Sequence, residues 1–293
     1  MITYLLAIGS AVLYGAADFT GGLTARRGGA GTLPIVILSL ASGLVLLALM
    51  LPLLPPASPA RADLLWGAAA GVTGGIGVAL LYRALAIGTM AVVAPTTAVC
   101  AVAIPVVVAV LLGERPVPLA VVGIVLGIAS IVLVSRQSVT SPSPEEPALS
   151  EAKGREYSSG VGTALASGVA IGLFLLTIAR TGSTAGMWPL IVARAVSVLL
   201  FGAAAAATGR SLRLPPAIAG LVVVGGMMDV LANALYMVAA RQGPLSVVVT
   251  LSSLYPASTI LLARVVLGER LNWWQRGGVG CALLAVLLIV SSR

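Results

Sequence analysis

The chain has 293 residues, of which 59% are hydrophobic and 9% are charged, with a formal net charge of +8. A soluble domain carries roughly 25% charged residues, so this composition excludes an ordinary soluble core and indicates that a lipid bilayer is the solvent. The positive charges stand singly between apolar runs, which favours anchoring at lipid headgroups over nucleic-acid binding. There is no His, which excludes His-based acid–base catalysis, and we interpret Cys100 and Cys281, inside apolar runs, as packing residues.

The apolar runs come in chain order at lengths that suit membrane spans. A helix needs about 20 apolar residues to cross the hydrocarbon layer, and by this measure the sequence predicts an all-α integral membrane protein with ten crossings. The predicted crossings are 3–23, 33–54, 64–86, 91–112, 117–135, 158–179, 186–207, 217–240, 245–267 and 271–291.

One long polar segment, 137–157, separates the fifth crossing from the sixth. It is rich in Ser, Pro and Glu and has no apolar period, which predicts a flexible linker. The linker divides the sequence into a first five-helix repeat over 1–136 and a second over 158–293.

The two halves carry the same motif. Leu-Gly-Glu-Arg occurs at Leu112–Arg115 and again at Leu267–Arg270, about 155 residues later, each time between two apolar runs. Five crossings is an odd number, so the second copy enters the membrane upside down if the linker does not cross. Inverted repeats of this kind are typical of secondary transporters, whose substrate site lies near the midplane between the repeats.

The paired Leu-Gly-Glu-Arg segments, each followed by a Gly-rich last helix, resemble the EamA-type transporters of the drug/metabolite transporter superfamily. The segment Tyr255–Thr259, reading YPAST, is also close to the family pattern. The resemblance covers nearly the whole chain outside the linker. It implies two inverted five-helix halves around a central cavity, export of small metabolites or drugs, and both termini in the cytoplasm.

The distribution of Lys and Arg leans toward the opposite orientation, with both termini outside. We adopt the orientation that the resemblance implies, in the cell (inner or plasma) membrane. Because one chain already contains both halves, a functional monomer is expected.

Charged residues at the bilayer centre are unfavourable by roughly 2.5–3.5 kcal/mol, so they usually face a water-filled cavity or a partner. Asp229 falls near the middle of the eighth crossing, and Asn233 and Tyr236 follow it on the same helix face. This stripe of carboxylate, amide and phenol indicates a substrate or proton site. A structural hydrogen-bond network between helices is the alternative.

Two further charges lie inside predicted crossings. Asp18, one turn after Tyr14, is a second candidate for the substrate or proton site, and its alternative is a helix-end carboxylate that reaches water. Arg194 matches the family's tendency to place an Arg in the seventh crossing. It is expected to pair with Asp18 or Asp229 or to bind an anionic substrate group, with a purely structural ion pair as the alternative.

Aromatic rings and helix-end carboxylates complete the candidates. Tyr82, Tyr236 and Tyr255 are expected to line the cavity and to offer rings to an aromatic or cationic ligand. The repeated Glu114 and Glu269 form a structural helix-end motif, in which each carboxylate is expected to cap the helix that follows it.

These observations predict a secondary active transporter that exports a small, amino-acid-like metabolite or a drug by alternating access, driven by the proton or substrate gradient. If protons are coupled, Asp229 or Asp18 is the expected carrier. A non-transporting membrane scaffold or sensor and a passive facilitator are the alternatives. The sequence has no Gly-rich phosphate loop with a Lys, no Ser-His-Asp set and no metal-ligand cluster, so we expect neither an enzyme nor a bound cofactor or metal.

Overall fold

The computed structural model describes residues 2–27, 31–111, 118–135, 147–178, 180–242, 251–252, 254–271 and 273–291. Within these ranges the chain forms ten α-helices with described bounds, a further helical pair at Leu251–Ser252, two short 3-10 turns and no strand. The helices are α1 (Ile2–Arg27), α2 (Thr32–Met50), α3 (Arg61–Ile87), α4 (Met90–Leu111), α5 (Pro118–Ser135), α6 (Pro147–Ile178), α7 (Trp188–Thr208), α8 (Pro216–Gln242), α9 (Tyr255–Leu267) and α10 (Trp273–Ser291).

Six of the described helices are long and apolar enough to cross a membrane by length and composition. They lie in α1, α2 with the 3-10 turn that follows it, α3, α6, α7 and α8. Large apolar side chains such as Leu49, Leu65 and Leu199 are exposed on the outside, as lipid contact requires. The predicted all-helical membrane fold is confirmed at this level, while the count of ten crossings stays a prediction.

The flexible linker over 137–157 stays a prediction, but the second part of this segment is helical in the structure. Helix α6 begins at Pro147, so 147–157 is helical, and 136–146 lies outside the described residues. Proline suits the first helical position because its ring already fixes φ near the helical value. The residues after it (ALSEAK) are mostly good helix formers, which outweighs their polar composition. The division into repeats over 1–136 and 158–293 stays a prediction.

The ninth predicted crossing is interrupted. Leu251 and Ser252 are helical, Leu254 forms a turn, and α9 starts at Tyr255. Pro256 is tolerated as the second residue of a helix because its missing N–H would have no partner there. In the other half α4 runs as one helix from Met90 to Leu111. The interruption therefore places Tyr255 at a helix start, against α1.

The two halves interlock rather than pack as separate bundles. Three kinds of contact between the halves occur twice, once from each half. Helix α1 packs on α8, and its counterpart α6 packs on α3. Likewise α4 packs on α6 and α9 on α1, and α3 packs on α7 and α8 on α2. The contacts α2 with α7 and α5 with α10 join equivalent helices. Exchanging the halves leaves these contacts unchanged, whereas the contacts of α1 with α3 and of α4 with α10 have no counterpart of similar extent among the described helices.

Hydrogen bonds from hydroxyl groups to backbone carbonyls repeat the same exchange. Four of them form two equivalent pairs: Ser10 to Ala232 at 2.9 Å with Ser167 to Gly77 at 2.8 Å, and Thr97 to Ala164 at 3.2 Å with Ser252 to Ala7 at 3.4 Å. Each bond runs from one half to the other. In a hydrocarbon solvent a hydroxyl needs such a partner, and interhelical bonds of this kind contribute about 0.6–2 kcal/mol each.

Two glycines let helix backbones from different halves approach closely. A Cβ added at Gly226 of α8 would overlap the carbonyl oxygen of Ser39 in α2, and one added at Gly71 of α3 would overlap that of Ala193 in α7. Small residues at such crossings are the usual means of close packing where apolar burial gives little gain.

We predict that Gly226→Ala lowers the free energy of unfolding in detergent by about 1–3 kcal/mol, because α2 and α8 must move apart to admit the methyl group. Melting followed by size-exclusion chromatography measures the effect. Gly220→Ala, on the same helix with nothing within 4 Å of the added Cβ, is the matched control. Equal melting temperatures for the two variants would contradict the close approach of these helices.

Candidate functional site

Polar side chains from both halves meet where α1, α3, α7, α8 and α9 converge. We call this set the polar cluster; its members are Tyr14, Asp18, Tyr82, Arg194, Asp229 and Tyr255. The charges of Asp18, Asp229 and Arg194 all lie within electrostatic range of the phenols of Tyr14 and Tyr82. Asp18 also acts on Tyr255. The cluster therefore brings together most of the residues predicted for the site.

An ion pair joins α7 to α8 inside the cluster. The Arg194 guanidinium binds the Asp229 carboxylate, and the two side chains are only 11% and 18% exposed. Of the partners expected for Arg194, the structure selects Asp229. The pair compensates both charges, so neither group stands alone in the apolar interior.

The remaining members of the predicted stripe on α8 have different surroundings. Asn233 donates its side-chain N–H to the Asp229 backbone carbonyl at 2.8 Å, so this donor is used within its own helix. Tyr236 packs with Ala7 and Ala239 and lies within electrostatic range of Tyr14. The stripe therefore presents one charged group and one phenol toward α1.

Asp18 differs from Asp229 in having no compensating partner. Its side chain is half-buried, and it forms no hydrogen bond or ion pair within the described part of the chain. The Asp229 carboxylate lies within electrostatic range of it. Asp18 is thus the carboxyl group of the polar cluster that has no bound cation among the described residues.

Three tyrosine rings lie along α1 near this carboxylate. Tyr14 lies one turn before Asp18, and its ring meets that of Tyr255 edge-to-face, with centroids 6.2 Å apart and planes at 62°. On the other side the Tyr82 ring lies against Gly21, where any side chain would overlap it. The Tyr82 hydroxyl is within 3.1 Å of the Ser39 hydroxyl, which fixes the ring's position.

Glu269 caps a helix of the opposite half. Its carboxylate accepts the backbone N–H groups of Met90 and Ala91 at 3.1 Å each and pairs with Arg26 at 3.1 Å. The capped helix is α4, not α10, which follows Glu269 in sequence. The α4 amides and Arg26 offer it both free donors and a positive charge. The equivalent Glu114 lies outside the described residues.

Two structural residues had no clear signal in the sequence. Arg26 also donates from Nε to the Leu85 carbonyl at 2.8 Å and from Nη2 to that of Gly88. Asp63, at the start of α3, accepts the Gly182 N–H at 2.7 Å and so ties the halves together a second time. A charged residue at a helix end is usually solvated, so their partners in the other half could not be predicted.

Comparison with known proteins identifies the family. The EamA-like transporter family matches residues 1–136 and 158–291. The chain belongs to the EamA-like transporter family. This EamA-like chain is accordingly a multi-pass membrane protein of a transporter family, as the resemblance of its sequence implied.

Structural comparison adds the fold alone. A solved structure titled "Crystal structure of protein" has a TM-score of 0.58 to the EamA-like chain and 16% sequence identity, covering 98% of this chain and 95% of that chain. Among curated proteins, none matches the chain.

We predict that replacing one member of the buried ion pair destabilises the protein more than replacing both. Arg194→Gln or Asp229→Asn alone should lower the free energy of unfolding by about 3–5 kcal/mol, because one charge stays buried without a partner. The double variant should recover part of this loss. Thermal melting of the four proteins forms a double-mutant cycle, and strictly additive losses would show that the two side chains are not coupled.

We also predict that Glu269→Ala destabilises the protein by about 1–3 kcal/mol per donor left unsatisfied, because the α4 amides and Arg26 lose their shared acceptor. Arg270→Ala, an exposed charge at the next position, is the control. Melting temperatures should fall for the first variant alone; a similar fall in both would assign the effect to the loop rather than to the cap.

Proposed function

We propose that this EamA-like protein is a secondary active transporter that exports a small, amino-acid-like metabolite or a drug by alternating access. The observation that carries the proposal is the polar cluster, in which charged side chains from both halves meet inside a membrane fold. Charges in such a position are typical of substrate or ion pathways. A scaffold has no need of an uncompensated carboxylate between its halves.

The packing supports two inverted five-helix repeats and ten crossings. A pattern that survives exchange of the halves is what a pseudo-two-fold axis produces, and an odd number of crossings per half makes that axis lie in the membrane plane. Substrate sites in such folds lie where the repeats meet. The polar cluster has this position, and it is our candidate substrate site.

Alternating access requires contacts between the halves at both ends of the site. Asp63 with Gly182 and Arg26 with Glu269 are such contacts, at opposite ends of α3. Asp63 and Leu85, which Arg26 holds, are separated along the helix by about 33 Å at 1.5 Å per residue. In the proposed cycle the two contacts open in turn, so that the site faces one side of the cell membrane at a time.

The energy source in this proposal is the proton or substrate gradient. Arg194 is bound to Asp229, so in this proposal Asp229 holds the site's geometry and Asp18 is the carboxyl group left to exchange a proton. Protonation of Asp18 removes the last uncompensated charge and so changes the free energy of closing the site.

Metabolite profiling of the medium tests transport. Cells expressing the wild type or Arg213→Gln, an exposed charge between α7 and α8, should accumulate a compound outside, and cells expressing Asp229→Asn at matched membrane levels should not. Equal profiles for all three and for cells without the protein would contradict export. Equal transport by the wild type and Asp229→Asn would remove the ion pair from the mechanism. Accumulation that never exceeds the inside concentration would favour a passive facilitator.

A further inference from the structure

We propose that the transported substrate carries one positive charge, an amine or quaternary ammonium on an apolar body, and that this charge binds Asp18 between the rings of Tyr14, Tyr82 and Tyr255. The inference rests on the proposed transport function and names the class of substrate that the same site accepts.

The balance of charge selects a cation. The polar cluster holds two carboxylates and one guanidinium, and Arg194 is already bound to Asp229. Asp18 has no cation beside it in the part of the chain that the structure describes. An anionic substrate would add a second uncompensated charge, whereas a single cation brings the cluster to neutrality, which an apolar surrounding strongly favours.

A zwitterion fits less well for the same reason. Its carboxylate needs a free cation, and the guanidinium in the cluster is occupied by Asp229. Binding an amino acid at both ends would require the Arg194–Asp229 pair to separate, which leaves Asp229 buried and charged. The charge balance therefore narrows the proposed substrates from amino-acid-like compounds and drugs to monocations.

The rings give the cation a second attraction. A cation within about 6 Å of a tyrosine ring centroid is drawn to the face of the ring, most strongly where water is excluded. Gly15 and Gly21 lie on α1 one turn before and one turn after Asp18. The missing side chain of Gly21 admits the Tyr82 ring, and that of Gly15 admits the backbone at the start of α9, whose Tyr255 ring contacts Tyr14. The Ser39 hydroxyl holds Tyr82 in this position. A carboxylate with rings on two sides matches an ammonium group with apolar substituents.

The same geometry makes a proton and the cation compete for Asp18. The titratable groups around Asp18 come from four helices. They are Tyr14 on α1 itself, Tyr82 from α3, Asp229 and Tyr236 from α8, and Tyr255 from α9, with Arg194 of α7 bound to Asp229. Helix α2 carries no titratable residue, and the one on α4, Cys100, packs against Gly168 of α6. Asp18 is the uncompensated ionisable carboxyl among them, so one proton taken up releases one cation, and cation binding strengthens as pH rises.

The experiment uses three probes that share a phenyl ring and differ in charge: phenethylamine, phenylalanine and 3-phenylpropionate. The purified full-length protein is reconstituted in liposomes, and binding and uptake of each labelled probe are measured. Tetraphenylphosphonium, whose charge is permanent, gives the pH profile without titration of the ligand. The variants are Asp18→Asn, Asp18→Glu and Tyr14→Leu, with Tyr4→Phe, at an exposed position on α1, as control.

We expect phenethylamine and tetraphenylphosphonium to bind at least tenfold more tightly than the other probes. Asp18→Asn should weaken this binding at least tenfold and remove its dependence on pH, Tyr14→Leu should weaken it less, and Tyr4→Phe should leave it unchanged. Asp18→Glu should keep cation binding with a shifted pH midpoint, which preserves the test if Asp18→Asn does not fold.

Transport of phenylalanine or phenylpropionate in preference to the amine, or cation binding that Asp18→Asn leaves intact, would overturn the inference while leaving the transport function in place. Failure of every probe to bind or move would also overturn it. In that case the metabolite profiles decide separately whether the protein transports anything.

Discussion

The need of each polar group for a partner in an apolar solvent determines how this protein is built. Hydroxyl groups such as those of Ser10 and Ser167 find their acceptors on the opposite half, and close glycine contacts bring the backbones near enough for these bonds to form. Lipid tails are as apolar as the helix surfaces, so the two halves gain no hydrophobic free energy when they leave lipid and pack on each other. Hydrogen bonds and tight packing must therefore hold the halves together. The proposed substrate site is the place in this interface where one carboxyl group, that of Asp18, has no partner among the described residues.

The proposed repeat preserves many of the helix contacts but not the charges. Arg194 corresponds to Ser39 at the offset of the two motifs, and Asp229 corresponds to Gly74, which lies against Phe174. In the first half no ion pair can form at these two positions, and Ser39 instead makes a neutral contact with the Tyr82 hydroxyl. In the proposed two-fold scaffold the candidate site is therefore asymmetric: the second half contributes the Arg194–Asp229 pair, and the first half contributes Asp18 with Tyr14 and Tyr82. Such a site can hold an asymmetric molecule in a single orientation.

Sequence reasoning reached the helices and the candidate charges, because runs of apolar residues and the rarity of buried charge are both local signals. It could not choose between Asp18 and Asp229 as the partner of Arg194, since that choice depends on how the helices rotate against each other. The helix capped by Glu269 was missed because Met90 is distant in sequence and joins it only after the halves interlock. The helical start of α6 was missed because composition favoured disorder where local helix propensity prevailed.

The hydrogen bonds that cross between the halves also impose an order on biosynthesis. When the first five helices have left the ribosome, several of their backbone groups have no partner yet. The carbonyl of Gly77 is later bound by Ser167, and the amides of Met90 and Ala91 are later bound by Glu269. At about 5–20 residues per second, the second half takes on the order of ten seconds to follow. During this interval the first half stands in the membrane with polar groups open to other proteins. We therefore expect membrane chaperones to bind the first half during this interval, and we expect a chain truncated at the linker to be degraded by membrane quality-control proteases.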